Sequence, residues 1–159
     1  MAGYIGSNIP AFITNVEGAS GNFEVGGRLT TLSQPHIHGS PNNSSGSGNA
    51  NAFYESNSKG TLSFNNSRVT VPIDGLYLIS LNTISDTSTG RKDATIKVNG
   101  TTKLSALNES NGQGFHQKSL SGVLSLNAND YIQVSNEDWY ESGSTSYDSW
   151  KSLSVTLIG

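Results

Sequence analysis

The run Val69-Thr-Val-Pro72-Ile-Asp-Gly75-Leu-Tyr77-Leu-Ile-Ser-Leu81 constrains this chain more than any other. A short strand ends in a Pro-x-x-Gly turn, and a long apolar strand follows at once. Pro72 presets φ for a turn, and Gly75 is expected to take the positive φ that closes it. Side chains alternate across a strand, so Tyr77, Ile79 and Leu81 fall on one face and Leu76 and Leu78 on the other. A strand apolar on both faces is not a sheet surface in water. One face needs a core, and the other needs more protein, such as another subunit. The pattern predicts an all-β domain that assembles.

Composition agrees. At 159 residues the chain is long enough for one domain with a two-sheet core. Ser, Asn, Thr and Gly make up nearly half of it, residues that suit turns and strand surfaces and are poor in helix interiors. Charged residues are 13%, too few for a disordered polyelectrolyte. A net charge of -3 offers no cation surplus to displace counterions from a phosphate backbone, so no nucleic acid partner is expected. There is no cysteine, hence no disulfide framework and no thiolate chemistry, which favours a bacterial or viral source. The opening residues lack the basic head and apolar run of a signal peptide. No segment reaches the ~20 apolar residues of a spanning helix, so no membrane partner is expected.

Along the chain, short strands alternate with turn chemistry. Ile9-Pro-Ala-Phe12-Ile-Thr reads as a first strand, and Phe23–Val25 and Arg28–Leu32 flank Gly26-Gly27. Residues 39–51 read as a mobile polar loop. Phe53-Tyr54 and Leu62-Ser-Phe64 resume β structure, and a long strand runs from Leu76 to Ile84. A polar loop is expected over Thr87–Lys92. Asn99-Gly100 between Thr95–Val98 and Thr102–Leu104 is a type I′ hairpin signal. In the last third Leu120, Leu124 and Leu126 share a face with Gly122. Ile132 and Val134 point inward, and Leu153, Val155 and Leu157 line one face of the final strand. No segment has helical periodicity. About ten short strands with frequent turns predict an antiparallel two-sheet jelly-roll sandwich.

The ordered set Phe64-(x)4-Val69-Thr-Val-Pro72-(x)2-Gly75-x-Tyr77 resembles the signature strand pair of the complement C-one-q globular head, a jelly roll of the tumour necrosis factor-like kind. Ile9-Pro-Ala-Phe12 is similar to that family's opening strand, and Lys97-Val-Asn99-Gly100 to its mid-domain hairpin. Ser121–Leu126 with Asp130-x-Ile132-x-Val134, and then Leu153–Gly159, resemble its closing strands. The sequence departs from the pattern in having Asn129-Asp130 for the usual Gly-Asp and Leu153 for an aromatic. The resemblance covers residues 9–159. It implies a homotrimeric head used for recognition and assembly rather than catalysis, with Leu76, Tyr77, Leu78 and Ile79 at the trimer interface.

Similar jelly rolls occur on bacteriophage virions as capsid decorations and fibre heads. With no cysteine, collagen stalk or leader, the expected setting is a virion, with a major capsid protein or another virion protein as partner. The start Ala2–Gly6 also resembles small phage structural proteins. Residues 1–8 then read as a docking arm anchored by Tyr4 and Ile5. The alternative is the receptor-binding head of a tail or head fibre that recognises a host-surface glycan.

Other candidates are weighed against plainer readings. His36-Ile-His38 puts two imidazoles on one side of an extended segment, but no carboxylate or cysteine lies near in sequence to complete a metal set. A solvated loop is the expected reading. Asn136-Glu137-Asp138 and Asp148 are oxygen ligands without a calcium-loop spacing, so no metal or cofactor is assigned. Trp139, Tyr140, Tyr147 and Trp150 crowd one loop-rich stretch and form a possible ligand or partner surface. The plainer reading there is packing of Trp150 under the sandwich edge. His116 has no nucleophile-elbow context, and no catalytic residue is assigned.

Overall fold

The computed structural model describes residues 34–42, 48–59, 62–65, 67–86, 89–112, 114–137, 139–140 and 150–159. The expected strands before residue 34, the docking-arm residues Tyr4 and Ile5, and Tyr147, Asp138 and Asp148 lie outside them. Strands in chain order are β1 (His36–Asn42), β2 (Gly48–Asn49), β3 (Ala52–Lys59), β4 (Ser63–Asn65), β5 (Arg68–Thr70) and β6 (Gly75–Ser85). They continue as β7 (Thr89–Val98), β8 (Thr101–Asn111), β9 (His116–Leu126), β10 (Tyr131–Asn136) and β11 (Ser152–Leu157). One sheet has the order β3-β1-β11-β6-β9, and the other β4-β5-β10-β7-β8 with β2 beside β10. All pairings are antiparallel. This is the expected jelly-roll sandwich.

Alternation builds the core. Ile37, Tyr77, Ile79, Leu81, Leu153 and Val155 of the first sheet face Val69, Ile96, Ile132 and Val134 of the second, all without solvent exposure. Burial of each such side chain is worth roughly 1.5–3 kcal/mol. The phenol of Tyr77 is not left unpaired, since its hydroxyl donates to the Ile73 carbonyl at 2.9 Å. Burial pushes its pKa up. Gly122 stands opposite Ile79, where a Cβ would lie 2.7 Å from Leu104 Cδ1 on the facing sheet. Its missing side chain lets the two sheets close at the β8/β9 edge.

Turn chemistry holds at Asn99-Gly100. Both residues are left-handed, with φ of 50° and 79°, as a type I′ turn requires. Val98 and Thr101 are register partners across it.

Three expectations need correction. Gly75 does not have positive φ. It is glycine because a Cβ there would lie 2.5 Å from Leu157 Cδ1 and 2.8 Å from the Gly159 carbonyl oxygen. Residues 39–51 are not one loop, because β1 runs through Asn42 and Gly48-Asn49 pair with Ser135-Asn136. Ala50 is then buried and donates its N–H to the Val134 carbonyl. Thr89–Lys92 is likewise strand, and Lys92 is buried. In the last two cases backbone pairing with another strand orders a segment whose own apolar content is low.

Candidate assembly surface

The outward face of the five-stranded sheet carries the first candidate. Leu76 is 45% exposed and Leu78 42%, although both belong to β6, which has β11 on one side and β9 on the other. Leu78 stands directly opposite Val123 of β9, which is 50% exposed. Ile158, also 50% exposed, lies beside Leu76 and donates its N–H to the Leu76 carbonyl at 2.8 Å. The Leu76 N–H donates in turn to the Gly159 carbonyl. Four large aliphatic side chains therefore adjoin at one end of a sheet face. Isolated exposed leucines need no explanation, but a contiguous patch on one face marks an interaction site.

The four residues expected at a trimer interface split here. Tyr77 and Ile79 have no exposed surface and belong to the protomer's own core. Only Leu76 and Leu78 are presented outward. Val123 and Ile158 join them, and the sequence reading missed both. The signal was available for Val123, which follows Gly122 in an alternating strand and so points to the other face.

Away from the leucines the same face is polar. His36 pairs with Thr156 and His38 with Ser154, and each Nδ1 lies 2.7 Å from its partner's hydroxyl oxygen. Asn82 Nδ2 donates to Ser152 Oγ at 2.9 Å, and Ser119 Oγ donates to Asn82 Oδ1 at 2.6 Å. The two histidines thus do share one side, on a strand rather than on a loop. Among the described residues no group of three or more His, Cys, Asp or Glu side chains is placed to hold a metal.

The aromatic stretch divides as well. Trp139 is only 3% exposed, forms a bridge with Ser85 and donates its indole N–H to the Gly48 carbonyl at 2.8 Å. It is a core residue rather than a partner surface. Tyr140 is half-buried and lies against exposed Phe115, with ring centroids 4.3 Å apart at 56°. Trp150 is exposed. Phe115 was not singled out in sequence, because it lies 25 residues from Tyr140 and only the fold brings the two together.

Beneath that end runs a buried polar network. Asn136, expected on an exposed loop, is buried in β10, and its carboxamide donates to the Ile84 carbonyl and accepts from Thr83 Oγ1. Ser85 Oγ donates to the Glu137 carbonyl at 2.7 Å and accepts from Lys118 Nζ. Nearby, Ser110 Oγ and His116 Nε2 lie 2.7 Å apart, the spacing of a nucleophile and its base. Ser110 is buried, however, and its hydroxyl also accepts the Gly112 N–H, so the pair clasps the β8–β9 hairpin.

The other end of the sandwich is organised by Asp130. Asn99 Nδ2 donates to its Oδ1 at 2.7 Å and the Asn127 N–H to its Oδ2 at 2.9 Å. The Asn99 bond, then the Asn127 bond, hold its carboxyl below the usual 3.8, with Lys103 adding to the effect. A carboxyl depressed by folding stabilises the protein above its unfolded pKa, and that contribution is lost as pH falls through the folded value. Thermal melts below about pH 4 should therefore fall more steeply for the wild type than for Asp130→Asn. Parallel curves would show that these bonds do not favour the ionised form.

No family model and no curated protein matches this sequence. Solved structures do. A crystal structure of murine APRIL at pH 5.0 is similar over 79% of this chain and 99% of that one, with a TM-score of 0.65 and 16% identity. Another, at pH 8.0, matches over the same shares with a TM-score of 0.63 and 16% identity. The fold of this chain is a tumour necrosis factor/C-one-q-like jelly roll.

Proposed function

We propose that this chain is a non-enzymatic assembly protein, a homotrimeric jelly roll that decorates or cements a bacteriophage capsid. The observation that carries the trimer is the patch of Leu76, Leu78, Val123 and Ile158 on an otherwise hydrogen-bonded sheet face. A threefold arrangement removes three such patches from water at once, each at roughly 25 cal/mol per Å² of apolar surface. The resemblance to trimeric jelly-roll heads supports the same assembly. The virion setting draws its support from the cysteine-free composition.

Light scattering at micromolar concentration should give three times the protomer mass of 16.8 kDa. A monomer mass would refute the assembly. For the setting, the purified protein should co-sediment with phage particles that lack it, and deletion of residues 2–7 should abolish this while leaving the trimer. Equal binding by the truncated protein would move the contact to the head.

The second reading is a fibre head that recognises a host-surface glycan. Exposed Phe115 beside Tyr140, with Trp150 also exposed, favours it, because rings give large contact area at low entropic cost. Loss of adsorption to host cells in Phe115→Ala, with particles of normal stability, would select it.

A further inference from the structure

A cleft of about 410 Å³ opens between the β7–β8 hairpin and the β9–β10 turn, at the opposite end of the sandwich from Phe115 and Tyr140. That volume lies in the range of small-ligand sites, about 300–1,000 Å³. Its aliphatic side comes from half-buried Leu124 above the core residue Leu126, and its polar wall from Asn99, Thr101, Lys103 and Asp130. We propose that this cleft binds a single neutral sugar residue.

The chemistry of the walls carries the inference. An ionised carboxylate offers about four acceptor positions. Asn99 and the Asn127 N–H take one position on each oxygen of Asp130. Each oxygen keeps one for a hydroxyl donor, and the same two bonds fix where it points. Two acceptors on one rigid carboxylate suit two adjacent hydroxyls, through charge-assisted bonds. Lys103 lies near enough to depress the Asp130 pKa and supplies donors to the ligand's oxygens. Asp130 and Lys103 cancel in charge, so the cleft favours neither an anion nor a cation. The half-buried Leu124 meets the axial C–H groups on one face of a pyranose ring, whose hydroxyls radiate round its rim.

Asn99 is built for this position. It is left-handed at φ 50°, and its Oδ1 accepts the Tyr131 N–H at 3.1 Å. One side chain therefore joins the hairpin to β10 and orients the carboxylate. The polar wall is set before any ligand arrives, so little ordering entropy is lost on binding.

The test is amide chemical-shift mapping of the intact protein with methyl glycosides of glucose, galactose, mannose and N-acetylglucosamine. At least one should shift residues 98–103 and 124–130 with millimolar affinity, and the same positions should respond to a polysaccharide containing it. Lys103→Ala leaves the turn intact and should weaken binding several-fold, and Asp130→Ala should abolish it. Shifts by the polysaccharide alone would make a surface glycan the source, and shifts by both would admit free sugar. No response to any probe overturns the proposal. So do shifts confined to residues near Phe115 and Tyr140, or equal binding by both variants. A failure here leaves the trimer and its mass measurement untouched.

Discussion

Leu78→Asp should turn the trimer into a folded monomer. In the protomer Leu78 is 42% exposed, so an aspartate there can stay hydrated and the sandwich should keep its stability within about 1 kcal/mol. In the assembled face it would bring three unpaired carboxylates close together without water, at a cost of several kcal/mol. Light scattering should drop to the protomer mass while the far-ultraviolet spectrum and melting cooperativity remain. An unfolded protein would place Leu78 in the protomer's core, against the geometry. An intact trimer would mean that the leucine patch faces something else.

Gly75→Val should destabilise the fold strongly, although it removes no side chain. Its Cβ would meet Leu157 Cδ1 at 2.5 Å and the Gly159 carbonyl at 2.8 Å, before the two γ methyls are counted. A leucine tip can turn aside. The carbonyl cannot move without breaking its bond from the Leu76 N–H. Overpacking of this kind costs about 1–3 kcal/mol, and the lost backbone bond adds to it. Gly75→Ala tests the mechanism, since it adds the Cβ alone and should still lower the melting temperature. An unchanged melt for alanine would mean that the end of β11 yields freely.

These two residues also show what the sequence makes legible. The Pro-x-x-Gly turn and the strand after it are visible because Pro72 and the alternation from Gly75 to Leu81 are local properties. Why Gly75 is glycine is not visible, since the atoms that exclude a side chain lie more than 80 residues away. Leu76 and Leu78 could be separated from Tyr77 and Ile79 by parity, but not assigned inside or outside. That choice depends on which face the second sheet covers. Trp139 misled for the same reason. Polar, glycine-containing neighbours suggested a surface, whereas its bridge to Ser85 and its bond to Gly48 take the ring inward. The Asn99 hairpin was legible because its signal is two residues long. Its second role, aiming Asp130, was not, because 31 residues separate the pair.

The position of β11 has a consequence for how this chain comes to be folded. β11 is the middle strand of its sheet, with β1 on one side and β6 on the other, and it follows every other described strand in the chain. Until residues 152–157 are synthesised, β3–β1 and β6–β9 are two ribbons with no strand between them. Each ribbon exposes an unpaired edge, and such edges invite pairing with other chains. Native closure of this sheet therefore waits for the last of the described strands, joining contacts more than 110 residues apart. A ribosome that stalls before Ser152, or a protease that removes β11, should leave an aggregation-prone fragment instead of a smaller domain.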